Sequence, residues 1–213
     1  VIANEQFNFD VSEIEILDNG NKVIGSKRGK ITTNDGVIIS ADKFEYNKIQ
    51  NILNAKGNVI IEDNIDDYKI FSQEITYDKN KEIIFSKGET KSEILSRFDF
   101  ESKDLNLFRN KKILNSNKKT FITDNENQTL YKLDRFSFSI DTEILKGERI
   151  LVNIDYNLPQ NDKLYFKNGI FNLKEKSFIA QDVEVKLKKN IFDNLENDPR
   201  IKGVSASSKN KIT

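Results

Sequence analysis

The side chains that most often carry chemistry are missing from this chain, since its 213 residues include no histidine and no cysteine. Histidine is the usual general base near neutral pH and the commonest metal ligand, and cysteine supplies thiol nucleophiles, thiolate metal sites and disulfides. Only chemistry based on carboxylate, Lys, Tyr or Ser side chains remains. We therefore expect a protein that is not an enzyme, with no catalytic residue, no metal site and no cofactor.

The remaining charged clusters have the pattern of a solvated surface. Asp66 and Asp67 are adjacent, and Glu13 and Glu15 are two residues apart, but neither pair has the spacing of a calcium-binding loop. Basic and acidic residues number 34 each, so no net charge favours nucleic acid as a partner. Short lysine runs at 111–112, 118–119 and 186–189 would meet lipid phosphates as point charges. Acidic residues are interspersed near these runs, as on an ordinary solvated face.

The elements that must position any site are predicted to be β-strands. Apolar and polar residues alternate in short runs, as at Phe136, Phe138 and Ile140, and a period of two is typical of half-buried strands. Turn signals such as Asn34-Asp35-Gly36 separate the runs. No stretch of the first 190 residues sustains a helical period. The pattern predicts an all-β protein.

The chain also repeats itself. The segment ISADKFEYNKIQNILNAKGNVII recurs loosely as IFSQEITYDKNKEIIFSKGETKSE, so that Tyr46 matches Tyr77 and Gly57 matches Gly88, both displaced by 31 residues. Such a period indicates stacked units that cannot each bury their apolar face alone. We predict an elongated antiparallel β-jellyroll with two facing sheets built from repeats of about 30 residues. A β-solenoid is the alternative architecture.

The start of the chain bears on export. Val1, Ile2 and Ala3 fit the tail of a removed signal peptide, because small residues mark such cleavage sites, but an arbitrary boundary explains them equally well. Residues 1–6 are therefore expected to be a signal-peptide remnant or a disordered start. No apolar run approaches the roughly 18–20 residues that a transmembrane helix requires.

Three short motifs point to a known family. Ala41-Asp42, Phe44-Glu45-Tyr46 and Gly57-Asn58-Val59 together resemble OstA-like domains, which occur in the periplasmic lipopolysaccharide bridge and at the N-terminus of outer-membrane lipopolysaccharide-assembly proteins. Residues 190–205 look like the junction that precedes the barrel in the outer-membrane members. The resemblance covers about residues 7–213 and implies an OstA-like β-jellyroll over 7–189, followed by a junction toward a barrel over 190–213.

The resemblance implies a lipopolysaccharide-binding and transport module in the periplasm, associated with the outer membrane of a Gram-negative bacterium. Such a module receives lipopolysaccharide from the bridge protein, which it meets by edge-strand addition, and passes it to an outer-membrane barrel. The implied partners also include the outer-membrane lipoprotein of the system, but not nucleic acid. These 213 residues contain neither the barrel nor the cysteines that link it to this domain, so lipid insertion into the outer leaflet is not implied for this chain.

Two sets of residues are predicted to carry this function. Phe7, Phe9 and Val11 give the first strand an apolar face, and its backbone edge is predicted to pair with the partner. An interior groove for acyl chains is predicted from apolar positions that alternate in the same phase in two matched repeats, so that their side chains should share one face. Its predicted lipid-binding residues are Phe44, Tyr46, Val59, Ile61, Ile75, Tyr77, Ile83 and Phe85.

Other functions fit the same pattern. An apolar strand face is also what an ordinary sandwich core requires, and a groove for acyl chains is an under-filled core. A β-solenoid that degrades polysaccharide would need clustered carboxylates and a basic catalyst on one outer face. A structural adaptor would pair its edge strands with other proteins and hold no lipid.

Overall fold

The computed structural model describes residues 7–159, 161–187 and 199–208. The predicted signal-peptide remnant at 1–6 lies outside the described residues, and so does most of the predicted junction, of which 199–208 are described. Within the described part of the chain, no helix is long and apolar enough to cross a membrane.

The prediction of an all-β, antiparallel protein is confirmed. Each strand pairs with its neighbours in antiparallel register, and the described residues otherwise form only turns and two short 3-10 helices, Asp18–Gly20 and Arg109–Lys111. The strands are β1 (Phe7–Asp10), β2 (Glu13–Leu17), β3 (Lys22–Thr33), β4 (Ile38–Asn47), β5 (Ile52–Asp63), β6 (Tyr68–Asp78), β7 (Ile83–Ile94), β8 (Phe98–Phe108), β9 (Ile113–Ser116), β10 (Thr120–Asp124), β11 (Thr129–Leu133), β12 (Arg135–Ser139), β13 (Ile144–Ile154), β14 (Asp162–Asn172), β15 (Ser177–Lys186) and β16 (Arg200–Ser208).

The chain forms two compact units. The first contains residues 1–96 and 103–111, and the second contains residues 97–102 and 112–213, so that β8 contributes to both. Hydrogen bonds join the strands largely in chain order. The first two strands both pair with β3, the order then continues through β8 to β16, and β12 pairs with both β9 and β13. Most strands therefore lie beside the one that precedes them in the chain, as short connections favour.

The long strands of the first unit are bent at bulges near their middle. The register of β3 on β4 shifts between Ser26 and Gly29, and that of β5 on β6 shifts between Lys56 and Val59. Gly57 and Gly88 take left-handed φ values of 77° and 78° at matched positions of the repeat. A bulge leaves an extra residue unpaired and bends its strand, so each strand is divided into two halves.

In the first unit, the two halves of the sheet face each other across the core. Phe7 pairs with Thr33 in one half of β3, and Tyr46 pairs with Val23 in the other half. The rings of Phe7 and Tyr46 nevertheless lie only 4.8 Å apart. The two facing layers are therefore halves of the same strands, and the inner face of one continuous sheet becomes the core.

The second unit also has facing halves. Tyr131 and Phe171 lie opposite Val152 and Leu145, which belong to the two halves of β13. Their ring centroids are 5.8 Å apart, and both side chains are buried. Facing halves of single strands thus enclose the core of this unit too.

Buried hydroxyl groups lie where the strands bend. The Ser72 hydroxyl donates to the Glu74 carbonyl at 3.2 Å, and the Thr90 hydroxyl donates to the Gly88 carbonyl at 3.2 Å. Buried polar backbone groups need partners, and a bulge disrupts the ladder that would supply them. Inward Ser and Thr side chains therefore stabilise the bends from within the core.

The repeat is visible in the turns as well. The Lys79 amide donates to the Asn51 carbonyl at 3.0 Å, and one repeat later the Arg109 amide donates to the Glu82 carbonyl at 2.9 Å. Asn51 and Glu82 both have left-handed backbones. The same bond recurs between Lys48 and Asn21, Ile140 and Lys112, and Leu173 and Glu143.

A matched pair of glycines tests the role of the bulges. Replacing Gly88 with Ala should lower the free energy of unfolding by about 1 kcal/mol, because a left-handed backbone is unfavourable for residues with a Cβ. The Cβ of Ala at Gly57 would also lie 2.6 Å from an Asp42 carboxylate oxygen, whereas nothing lies within 4 Å of a Cβ at Gly88. Gly57→Ala should therefore cost about 2–4 kcal/mol, measured by urea unfolding.

The Asp42 carboxylate explains this expected difference. Asp42 forms an ion pair with Arg28 at 3.0 Å and accepts a hydrogen bond from Asn58 at 2.8 Å, so it cannot move aside without losing both contacts. In an Asp42→Ala background, the difference between the two glycine substitutions should shrink but not vanish, because the Cβ of residue 42 would still lie 3.0 Å from the new Cβ. Equal costs in the unmodified protein would contradict the proposed crowding at Gly57.

Candidate functional site

The predicted interior residues of the first unit form most of a closely packed core. Six of the eight are at most 8% exposed. Tyr46 and Tyr77 occupy matched positions, and their hydroxyls donate to Asn51 at 2.8 Å and Glu82 at 2.6 Å. The six buried residues are Phe44, Tyr46, Val59, Ile61, Ile75 and Tyr77.

The prediction was wrong about which face of β7 points inward. Tyr77 lies opposite Ile84 and Thr76 lies opposite Phe85, and directly opposed residues share a face of the sheet. Ile84 is therefore buried with Tyr77, whereas Ile83 and Phe85 lie half-buried on the other face. Residues 83–85 are all apolar, so the alternation of apolar and polar residues does not show which of them point inward. A shift of one residue moves every side chain of the strand to the opposite face.

Arg109, which is nearly buried, joins the two ends of the strands in the first unit. Its Nη1 atom lies 2.7 Å from Asp35 Oδ2, in the turn after β3, and 2.6 Å from Glu82 Oε2, in the turn after β6. The Arg109 side chain is only 8% exposed. It also donates to the hydroxyls of Tyr68 at 3.1 Å and Tyr77 at 2.7 Å. These contacts close the edge between the facing halves, which we call the seam of the unit.

The charges around Arg109 reinforce one another. Partial burial acts to raise the pKa of Asp35, but hydrogen bonds from Thr33 and Arg109 hold this pKa well below its usual range. Burial raises the pKa of Tyr68 and of Tyr77 well above the ordinary value. The tyrosines therefore stay neutral while Asp35 stays ionised, and the arginine charge is balanced near neutral pH.

The second unit has a corresponding arginine at its seam. Arg97 precedes β8, and its Nη2 and Nε atoms lie 2.7 and 3.0 Å from the two carboxylate oxygens of Asp124. Its Nη1 atom lies 2.9 Å from Glu143 and its Nη2 atom 3.4 Å from the Leu173 carbonyl, both at the other ends of the strands. Arg97 therefore holds the two halves together as Arg109 does in the first unit.

Beside Arg97, the interior of the second unit opens into an apolar cleft. The cleft has a volume of about 440 Å³, and Asp124 and Leu173, which bind Arg97, form part of its wall. This volume lies within the range of about 300–1,000 Å³ that is typical of small-molecule sites. Its apolar lining includes Tyr131, Val152, Leu164, Phe171, Phe178 and Val185. The cleft is the candidate functional site.

The wall of the cleft divides into apolar and charged parts. Tyr131, Phe171 and Leu164 are at most 9% exposed, whereas Phe178 is half-buried. Asp155, Asp162 and Lys176 also line the cleft, so charges of both signs surround apolar surface. This combination suits an amphiphile, whose apolar part is buried while its polar part stays near water.

The predicted partner edge lies at one end of the strand order. Phe7 is buried, and Phe9 and Val11 are half-buried. Within the described residues, β1 and β2 pair only with β3. Ile14 and Ile16 on β2 are 49% and 63% exposed. Their backbone edge and side chains are thus open to another strand.

The charged clusters noted in the sequence have structural contacts. Asp67 accepts a hydrogen bond from Ser96 at 3.1 Å, and Glu13 pairs with Lys27. Lys112 pairs with Asp141 at 3.1 Å. Among the described residues, no group of three or more acidic side chains is placed to hold a metal ion.

No protein-family model matches the chain, and no curated protein matches its sequence.

The sequence reading missed the two seam arginines and the cleft of the second unit. One usable signal was that only six of the 34 basic residues are arginines. Arg is preferred over Lys where several carboxylates must be bridged with little solvent, because its planar guanidinium presents five donors. The aromatic residues of the cleft carry no comparable signal, since most of the strands in the described part of the chain contain such residues.

The Asp124 contact predicts acid sensitivity of the second unit. Burial acts to raise the Asp124 pKa, but hydrogen bonds from Arg97 and Asn127 lower it below its ordinary value. A depressed pKa in the folded state contributes stability above the unfolded pKa of about 3.9, and this contribution is lost as the pH falls further. Urea unfolding should therefore show stability falling from about pH 5 toward pH 2.

Asp124→Asn should lower the free energy of unfolding at pH 7 by about 2 kcal/mol, because a charged hydrogen-bond partner is removed. It should also flatten the dependence on acid pH. Asp155→Asn, at an exposed position, is the matched control and should change neither quantity. An unchanged acid slope in Asp124→Asn would exclude this carboxylate as the source of the acid sensitivity.

Proposed function

We propose that this chain is a periplasmic lipopolysaccharide-binding and transport module, and that the apolar cleft of its second unit holds acyl chains. The observation on which this proposal mainly rests is the cleft of about 440 Å³ between the facing halves of one bent sheet. Burial of apolar surface would provide the binding free energy, at about 25 cal/mol per Å² before ordering costs. No bond is made or broken in this function.

The geometry of the seam supports acyl chains over a compact metabolite. The cleft lies beside the Arg97 contacts and is bordered by both ends of the bent strands. An acyl chain would enter from the seam, with its apolar part between the halves and its polar part at the charged residues. The interior of the first unit, where lipid contact was predicted from the sequence, stays a prediction.

The resemblance to OstA-like domains supports the rest of the proposal. In this proposal the chain receives lipopolysaccharide from the bridge protein at its β1–β2 edge and passes it toward an outer-membrane barrel, with the outer-membrane lipoprotein as a further partner. The antiparallel pairing of every strand fits this proposal better than a polysaccharide-degrading enzyme on a parallel solenoid. A structural adaptor is the second candidate, and the open edge of β1 and β2 favours it.

Two half-buried phenylalanines test the cleft. Phe178 lines it, with its ring 5.8 Å from that of Phe171, whereas Phe85 lies on the outer side of β7 in the first unit. Phe178→Asp should raise the dissociation constant for purified lipopolysaccharide at least about tenfold, since an unpaired charge in an apolar site costs more than 1.4 kcal/mol. Fluorescence anisotropy with labelled lipopolysaccharide measures the change.

Phe85→Asp is the matched control, with the same chemical change at a site away from the cleft. It should bind within about twofold of the unmodified protein, a difference well below 1 kcal/mol. Far-UV circular dichroism and thermal melts establish that both variants are folded. Normal binding by a folded Phe178→Asp variant would remove the cleft from the proposed function and leave the adaptor.

The edge of β2 gives a separate test of the partner. Photo-crosslinking residues placed at Ile14 and Ile16 should capture the bridge protein in Gram-negative cells, because these exposed side chains flank the open strand edge. Ile65, which is 81% exposed in the turn after β5, is the matched control and should capture nothing. Capture only from Ile201 on β16 would reverse the proposed polarity.

A further inference from the structure

A second cavity of the second unit lies on the outer face of its sheet. It has a volume of about 550 Å³ and is lined by residues of β9, β12, β13, β14 and β15. These strands are neighbours in that order, so the cavity is a groove that runs across them. It shares no lining residue with the apolar cleft.

Two rows of outward side chains form the walls of this outer groove. Side chains two positions apart on a strand point to the same face and lie about 7 Å apart. The rows are therefore parallel and are separated by one inward position. Residues directly opposite one another make up each row, with Glu148, Asn168 and Gln181 in one and Ser137, Lys146 and Ile170 in the other.

The floor of the outer groove is the backbone between these rows. Gly147, Gly169 and Ala180 are paired across the strands, and the inward direction of their Cβ positions leaves no side chain on the outer face. Five strands at a spacing of about 4.8 Å give the groove a length of about 19 Å. A ligand that fits must therefore be extended and narrow.

Two side-chain amides of the outer groove are available to a ligand. The side chains of Asn168 and Gln181 lie directly opposite each other, but neither makes a hydrogen bond with any residue that the structure describes. The residues next to them in the chain, Lys167 and Asp182, form an ion pair with each other at 3.4 Å. Amide groups that can both donate and accept thus line the groove beside charges that are already paired.

We infer that this outer groove binds an extended oligosaccharide. Sugar hydroxyls both donate and accept hydrogen bonds, which matches the amides of Asn168 and Gln181. Ile170 and Ile179 are 47% and 67% exposed and offer apolar surface to the C–H faces of sugar rings. Lys146 would attract an acidic substituent on the sugar.

The same features disfavour other extended ligands. A nucleic acid needs several unpaired cations along its backbone, but Arg135 is paired with Glu148 at 3.3 Å. A peptide strand would add along a sheet edge, whereas the groove crosses the strands over the face of the sheet. Carbohydrate binding here does not depend on lipid binding in the cleft.

The test uses the whole chain labelled with ¹⁵N and defined lipid-free carbohydrates. The probes are maltoheptaose, cellohexaose, oligogalacturonate and the core oligosaccharide released from lipopolysaccharide by mild acid. At least one probe should shift the side-chain amide signals of Asn168 and Gln181 in saturable titrations. Asn168→Ala with Gln181→Ala should weaken its binding about tenfold or more, as the loss of two amide hydrogen-bonding groups implies.

Gln50→Ala, at an exposed amide in the turn after β4, is the matched control and should leave the affinity unchanged. Thermal melts verify that the double variant is folded, and labelled lipopolysaccharide reports separately on the cleft. Absence of amide shifts with all four probes would overturn the proposal. Shifts produced equally by inorganic phosphate would do the same, because they would reduce the site to charge attraction at Lys146.

Discussion

The bend in the middle of the long strands is the constraint on which the rest of this structure depends. An antiparallel sheet with one apolar face must bury that face against something, and this chain offers no α-helix or separate sheet in its described part. Bending the strands lets one sheet bury its own inner face. Gly57 and Gly88 permit the left-handed backbone, and inward hydroxyls such as Ser72 and Thr90 accompany the bends.

The bend has an electrostatic consequence at the strand ends. Turns from both ends of the strands meet at the seam of each unit, and their carboxylates approach one another. A single guanidinium, with five donors in a fixed plane, bridges Asp35 and Glu82 in the first unit and Asp124 and Glu143 in the second. Where such contacts stop in the second unit, the apolar interior becomes accessible as a cleft.

The strands of the second unit serve two surfaces at once. On β14, Phe171 faces the interior cleft and the adjacent Ile170 faces the outer groove. The same alternation places Ile179 outside beside Phe178 on β15. Because neighbouring residues of a strand point to opposite faces, an apolar inner site and a polar outer site are encoded in the same segments without competing for positions.

The sequence by itself determined the all-β class, the antiparallel strands and the repeat of about 30 residues, because alternation, turn residues and matched Tyr and Gly positions are local signals. It also identified most of the first core, including Phe44 and Tyr77. The face of the sheet on which Ile83 and Phe85 lie was decided by the pairing of β7 with β6, since three consecutive apolar residues fit either face. The seam arginines, the cleft and the outer groove arise only when distant strand ends and rows meet, so only the tertiary structure decided them.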